Sequence, residues 1–488
     1  IGICRGAAWG DFNGDGYLDL YITGYENWDT GGEWHDVIFR NNAGKSFTRI
    51  WQTPSIRRAR GVTCADYDED GDLDIYVSNY RLQPNWLFRN DGDFTFTDVA
   101  MDVSSVAGDG GQGAWGHSVG SAWCDFDNDG HIDLFVGNFS HPPAYQDRCK
   151  FYRNVATVDG RNFQAHPGEI LRWQESYGTP AFGDFDNNGF LDLYLTTLYG
   201  GDRSSLFQNT SAALNIHPGE DVVGLPAGSW TMADVTDATG TGHSGSYQAG
   251  WADFDNDGDL DLATGGLIFR NLMNEDTPEG ERHHWLKVRL KGEGINAYAI
   301  GAEVRIRPNR GRWILTRQVE GGTGEGNQND LTLHFGLRNH ATAVELQVIW
   351  PDGTEQVQTS EVDRTVEIVK DTANASHGSK ISRRRKGYVV FEHSPMLTMQ
   401  PRHVPEHERI VDTISCGLAQ DEYESIQLGV HALAVGIKDV EVTVESDLAV
   451  AIYHRISAVD KEKLAVMSVP PDYDEVVRWA SSSVHLQR

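Results

Sequence analysis

Three things are scarce in this chain of 488 residues, and each scarcity excludes a class of protein. It has no run of 18 or more apolar residues, so no membrane-spanning helix is expected. It has five cysteines (Cys4, Cys64, Cys124, Cys149 and Cys416), an odd number at scattered spacings, which excludes a disulfide framework. Positive charge is outnumbered, with 41 Lys and Arg against 71 Asp and Glu and a net charge of −30. A chain so acidic repels the phosphates of nucleic acids and of anionic membranes, so neither is an expected partner. Apolar residues make up 39% and aromatics 10%, too much for a disordered acidic segment. Glycine, at 53 residues, exceeds its usual share of about 7% and predicts many tight turns. The length allows about three domains. The chain opens Ile1-Gly2-Ile3, without Met or a leader pattern, and a processed or partial chain is the expectation.

One nine-residue pattern, Asp-x-Asp/Asn-x-Asp/Asn-Gly-x-x-Asp, organises the first half. It runs Asp11–Asp19, Asp66–Asp74, Asp125–Asp133, Asp184–Asp192 and Asp253–Asp261, its starts separated by 55, 59, 59 and 69 residues. Two residues before each motif stand Trp9, Cys64, Trp123, Phe182 and Trp251, and one before stand Gly10, Ala65, Cys124, Gly183 and Ala252. The alignment makes Cys64 and Cys124 core packing residues, because each replaces a hydrophobic or small residue of the other repeats. After each motif comes a β-prone run such as Leu20-Tyr21-Ile22 or Ile75-Tyr76-Val77. Each unit closes on an aromatic-x-Asn signature: Phe39-Arg40-Asn41, Phe88-Arg89-Asn90, Tyr152-Arg153-Asn154, Phe207-Gln208-Asn209 and Phe269-Arg270-Asn271. A unit is strand, acidic loop, strand, variable loop, strand. Several strands per period of about 40–70 residues read as propeller blades.

Oxygen ligands at positions 1, 3, 5 and 9 of a short loop, with Gly at 6, suit Ca²⁺, which takes about 6–8 hard oxygen ligands. The candidate side-chain ligands are Asp11, Asn13, Asp15 and Asp19; Asp66, Asp68, Asp70 and Asp74; Asp125, Asp127, Asp129 and Asp133; Asp184, Asp186, Asn188 and Asp192; and Asp253, Asp255, Asp257 and Asp261. The backbone carbonyl of residue 7 can add an oxygen, from Tyr17, Asp72, His131, Phe190 or Asp259. Zn²⁺ would prefer His or Cys, which are absent from the side-chain ligand positions. Eighteen of the 71 acidic residues sit in these five clusters, where they repel one another unless a cation joins them. About five structural Ca²⁺ ions are therefore expected, stiffening the blades.

These units resemble the FG-GAP/VCBS repeats of integrin-α-like calcium-binding β-propellers over about residues 1–275. The resemblance implies an all-β fold of generally seven blades, whereas five motifs are visible. The shortfall is met by blades preceding residue 1, the favoured reading, or by motif-free strands within Val103–Gly120 and Asn215–Gly245.

From His283 to about Lys370 the acidic loops stop and residues alternate, as in Trp285–Leu290, Val304–Ile306, Leu331–Phe335 and Val344–Trp350, which predicts a small antiparallel β domain. Trp350-Pro351-Asp352-Gly353 is a turn between strands. Gly301–Val304, Glu320-Gly321-Gly322, Gln328-Asn329-Asp330, His334–Leu337 and Trp350–Gly353 are similar to the ASPIC/UnbV module of cartilage acidic protein-like families. That resemblance implies an extracellular or cell-surface protein and carries over no catalytic residue. Gly321–Gly326 lacks the Lys and the following helix of a phosphate cradle and reads as a loop. The His283-His284 pair has no third ligand in view and reads as surface.

Residues 371–387, with the basic run Arg383–Lys386, have linker composition. A third region, 388–488, is expected to be β-sandwich-like and incomplete; it is similar to a domain preceding the barrel of some bacterial glycoside hydrolases. His403-Val-Pro-Glu406-His407 fits a zinc-protease pattern, but Pro405 disfavours the helix that chemistry needs. Asn138, Asn209 and Asn374 stand in glycosylation-type tripeptides. The domains expected are thus 1–275, 276–370, a linker at 371–387, and 388–488. No catalytic constellation stands out. The expected function is a non-catalytic calcium-binding protein for adhesion, interaction or assembly. A protein or glycan ligand is expected at the cell surface or in the extracellular matrix, and self-assembly is open. The alternative is the non-catalytic part of a larger secreted polysaccharide-degrading protein.

Overall fold

The β-prone runs flanking each acidic loop become the first two strands of five successive antiparallel sheets in the computed structural model. The structure describes residues 2–377 apart from 104–105, 109–114, 142–147, 158–159, 167–170, 212–230, 293, 309–313 and 372–375, and four strands within 378–488. Residues Ile1–His377 form one compact unit and Gly378–Arg488 another.

The first sheet holds β1 (Ala7–Gly10), β2 (Asp19–Ile22), β3 (Val37–Asn41) and β4 (Phe47–Gln52). The second holds β5 (Ala59–Ala65), β6 (Asp74–Asn79), β7 (Trp86–Asn90) and β8 (Phe96–Asp98). The third holds β9 (His117–Cys124), β10 (Asp133–Phe139), β11 (Lys150–Thr157) and β12 (Gly160–Ala165). The fourth holds β13 (Tyr177–Gly183), β14 (Asp192–Thr197), β15 (Ser205–Asn209) and β16 (Met232–Asp234), and the fifth β17 (Ala249–Ala252), β18 (Asp261–Thr264) and β19 (Leu267–Phe269). Each sheet is a simple meander in chain order, so the fold is all-β and propeller-like. Four blades carry an outer strand beyond the three expected. Of the stretches considered for motif-free blades, His117–Gly120 opens the first strand of blade three and Met232–Asp234 is the outer strand of blade four, while 104–105, 109–114 and 215–230 lie outside the described residues.

The residues before each motif hold the blades together. Trp123 Nε1 donates across to Thr63 O of the preceding blade at 3.3 Å, and Trp251 Nε1 to Ala181 O at 3.1 Å. Cys64 and Cys124 are buried in the inter-blade cores, as their replacement of packing residues predicts. Asn138 and Asn209 are also buried, at 3% and 0% exposure, with their side chains bonded to backbone carbonyls. They are structural residues and not glycan acceptors in this fold. Asn374, Cys416 and the His403–His407 pattern lie outside the described residues.

The second module contains β20 (His284–Lys291), β21 (Glu303–Arg307), β22 (Leu315–Gln318), β23 (Leu333–Arg338), β24 (Val344–Ile349), β25 (Thr354–Ser360), β26 (Arg364–Val369) and β27 (Ser376–His377). Its alternation is real, and Leu286, Val304, Phe335, Leu346 and Trp350 share one buried core. The domain is antiparallel except at one place: β20 and β26 run parallel, from Leu286 beside Arg364 to Lys291 beside Val369. Alternation signals a face, not a direction, so the sequence pattern could not show this. In the second unit β28 (Tyr388–His393) pairs with β29 (Gln427–Ala432), and β30 (Glu441–Glu445) with β31 (Ser483–Gln487).

The loop from Glu320 to Asp330 touches the first strand of every blade. Trp9 N donates to Gly321 O and Val62 N to Gly324 O, while Thr323 Oγ1 donates to Ser121 O. Asn327 Nδ2 donates to Pro180 O and its Oδ1 accepts from Ala249 N. Asn329 repeats the pattern one step along, donating to Phe182 O and accepting from Trp251 N. A Cβ on Gly321 would lie 1.9 Å from Trp9 O, which explains a glycine there. The loop acts as a plug bonded to the first strands of all five sheets, and it joins the two β systems into a single unit.

Candidate metal centres

All five acidic loops fold alike. The first Asp accepts the amide of residue 5 on one oxygen and that of the position-6 glycine on the other: Asp70 N and Gly71 N lie 2.9 Å from the Asp66 oxygens, and Asn188 N and Gly189 N 3.0 and 2.9 Å from those of Asp184. Asp11, Asp125 and Asp253 do the same. The glycine sits at positive φ, from +85 to +100° across the loops, where a side chain would be strained. The side chain at position 5 accepts the amide of residue 7 in every loop. The last Asp receives the amide of residue 2 on one oxygen and, on the other, the amide of the closing Asn: Asn41, Asn90, Asn154, Asn209 or Asn271, at 2.7–2.8 Å. The aromatic-x-Asn signature is therefore part of the loop's scaffold.

This scaffold turns carboxylates inward. One oxygen from each of Asp125, Asp127 and Asp133 lies within 4.8 Å of the others, and the same holds for Asp184, Asp186 and Asp192, for Asp253, Asp255 and Asp261, and for Asp66, Asp68 and Asp70. Oxygens bound to one Ca²⁺ at 2.3–2.6 Å can be no more than about 5 Å apart, so the spacing fits that ion. Loop one, with Asn13 in place of Asp, shows no such carboxylate trio among the described residues; there Asn13 Nδ2 donates to Asp15 at 2.8 Å. Asp74 is buried below its loop at 0% exposure. Asp129 turns to Arg153 at 2.8 Å, while Asp257 and Asp255 form a second trio with Glu275, which the spacing rule missed. The side chains of His131 and Asp259 also have other engagements, with Glu69 and with Asn274 N.

Burial followed by carboxylate repulsion sets the electrostatics. Burial, opposed by backbone hydrogen bonds, pushes Asp19 up to about 7. Burial and Asp129 push Asp127 to about 7, and burial and Asp186 push Asp184 to about 8. Asp74, Asp125, Asp133 and Asp192 are raised well above the carboxylate range by burial first and their neighbours second. A divalent cation reverses this logic.

The second module packs against loops two to five. Gly336 N donates to Asp184 at 3.0 Å, and Lys287 Nζ lies 2.6 Å from Asp253. Arg305 Nη2 lies 3.7 Å from Glu69 of loop two, and Ile314 N donates to Asn128 O of loop three. His283, expected at the surface, is half-buried with Nδ1 2.8 Å from Asp186 O. None of these partners was visible in the loop spacing.

A pH dependence follows. Unfolded carboxylates titrate near 4, so between about 4 and 8 the cation-free fold retains protons that the unfolded chain has released. Its stability is present at low pH and is lost as pH rises through 7–8. With cations in place protons become competitors, and stability is lost as pH falls. Melting midpoints measured from pH 5.5 to 8 are expected to fall in chelator and to rise in calcium; equal slopes would contradict the assignment.

Residues 11–77, 66–136 and 125–195 match the family described as FG-GAP-like repeat, and residues 292–375 the family described as ASPIC and UnbV. Cartilage acidic protein 1 of Xenopus tropicalis is 26% identical over 380 residues, 75% of this chain and 54% of that protein. The Homo sapiens protein of that name is 28% identical over 191 residues, 38% of this chain and 27% of its own length. The chain thus spans about half of the first relative and less of the second. A Bacillus licheniformis rhamnogalacturonan lyase aligns at a TM-score of 0.31 and 12% identity, over 75% of this chain and 72% of that one, a likeness too slight to bear on function.

Proposed function

We propose that this chain, which carries FG-GAP-like repeats followed by an ASPIC and UnbV domain and is related to cartilage acidic protein 1, is a non-catalytic extracellular interaction protein whose five acidic loops hold structural calcium. The observation that carries the reading is the set of carboxylate trios in loops two to five, fully buried in loops three and four, that backbone amides hold open. In each loop positions 1, 3, 5 and 9 and the carbonyl of residue 7 supply the oxygens. The ion contributes charge neutralisation and stiffness. Loops three and four, closed in by the module, leave no exposed position for a substrate, which supports a structural role.

The ligand face is the opposite end of the blades. Acidic loops join the first strand of each blade to the second, so the far ends of the second strands lie away from them. There Tyr80, His117, Phe139, His141 and Tyr199 gather, with ring centroids 4.7 Å apart for Tyr80–His117, 4.8 Å for His117–His141 and 5.6 Å for Phe139–Tyr199. Tyr199 is 39% exposed, Tyr80, His117 and His141 are half-buried over the buried Phe139, and Glu175 lies 3.1 Å from His141, so the Tyr199 ring and a polar rim meet the solvent. Rings beside hydrogen-bonding groups suit a glycan or a protein loop. The test is binding of the full chain to glycan and matrix-protein arrays. Calcium-dependent binding that falls about tenfold in Tyr199→Ala is expected. Binding that is indifferent to chelator and to this substitution, or turnover of the bound glycan, would overturn the reading.

A further inference from the structure

Position 4 of the acidic loops is not a ligand, yet it is occupied by Gly14, Glu69, Asn128, Asn187 and Asn256, all at positive φ between +57 and +68°. Asparagine tolerates that conformation, but tolerance does not explain what its amide does. Asn128 Nδ2 leaves its own loop and donates to Gly189 O of loop four at 3.0 Å. Asn187 Nδ2 does the same to Gly258 O of loop five, also at 3.0 Å. Glu69 reaches His131 of loop three at 2.6 Å. Each contact ends on residue 6 or 7 of the following loop, the place where the chain wraps its ion. Asn128 and Asn187 are 1% and 3% exposed, so water cannot stand in for these bonds.

A second bridge runs backwards. Asn154 Nδ2 donates to Tyr67 O of loop two, Asn209 Nδ2 to Phe126 O of loop three and Asn271 Nδ2 to Phe185 O of loop four, at 2.7–3.0 Å. The same asparagines hold the last Asp of their own loop by their backbone amides. One residue thus fixes residue 2 of one loop and a candidate ligand of the next.

We infer that loops three, four and five take up calcium cooperatively, with Asn128 and Asn187 as positioning residues that let an ion in one loop order the loop before it. An ion that fixes the position-6 glycine of loop four presents Gly189 O to Asn128, and the turn of loop three is then already ordered when its own ion arrives. Coupling of this kind needs no further structural change, since ordering met once is not met again. Loop one stands outside the set because Gly14 has no side chain to send forward; it meets blade two through the backward bond from Asn90 Nδ2 to Phe12 O, at 2.9 Å, and the packing of Phe12 on Phe96.

The inference rests on the calcium reading, and the experiment separates the two. Calorimetric calcium titration of the chelator-stripped full chain gives the number of ions and the steepness of binding. Wild type is expected to bind several ions with a Hill coefficient above 1. Asn128→Gly/Asn187→Gly, which keeps the positive φ as Gly14 does, is expected to bind the same number, with the later ions weakened about tenfold and the Hill coefficient near 1. Gly14→Asn, at a position with open space around its Cβ, is expected to draw loop one into the cooperative set. No calcium uptake at all would overturn the calcium reading itself. Normal uptake without cooperativity in wild type, or an unchanged isotherm in both variants, would overturn only the coupling.

Discussion

Removing calcium is expected to lower the melting midpoint of this protein by about 10–25 °C. Each ion that binds only the folded state adds about 2.7 kcal/mol when free calcium is a hundred times its dissociation constant, so five loops contribute about 13 kcal/mol. In a unit of this size 1 kcal/mol moves the midpoint by about 1–2 °C, less than in a small domain. The direction follows from the loops themselves. Asp125, Asp127 and Asp133 are 0–2% exposed, and their inward oxygens crowd within 4.8 Å. The cation-free fold must protonate them or carry their repulsion, and at pH 8 it can do neither cheaply. Differential scanning fluorimetry in saturating calcium and in excess chelator reads the shift, with magnesium as a control that should restore less of it because Mg²⁺ demands a stricter octahedron. A midpoint unmoved by exhaustive chelation would remove metal from the account.

What was legible in the sequence is what lies within one loop. Asp11 to Asp19 and its four relatives show their ligands, their turn glycine and the strands on either side because all of these are neighbours in the chain. The closing Asn was visible as a repeat, and its bond to the last Asp follows from being on the adjacent strand. The outer strands were less visible: Phe96–Asp98 and Met232–Asp234 are three residues long, too short to show alternation. Least visible was the plug. Glu320–Asp330 is polar and glycine-rich, and its partners stand far away in sequence, as with Thr323 beside Thr63. Nothing in a loop's local composition says whether it faces water or the first strands of five sheets. The same limit hid Gly336 and Lys287 as neighbours of Asp184 and Asp253.

The plug has a charged anchor, and breaking it is expected to cost about 3 kcal/mol. Arg60 of β5 and Glu325 of the plug meet at 2.8 Å with side chains 6% and 5% exposed. The Arg60 guanidinium is surrounded by rings, with Tyr80 and Tyr247 centroids 5.0 and 5.1 Å away. Glu325→Gln keeps the shape of the side chain and removes its charge, leaving the buried guanidinium without its counter-ion. A buried pair of this kind is strongly missed when one partner goes but can be replaced as a unit with little loss. Arg60→Leu/Glu325→Leu is therefore expected to melt closer to wild type than Glu325→Gln does, by several degrees, in saturating calcium. Because the plug bonds to all five first strands, its loosening is expected to appear as earlier melting of the whole unit, not as a separate transition of the second module. A single variant that melts like wild type would show that the pair is not the anchor, and a split transition would show that the plug does not tie the blades together.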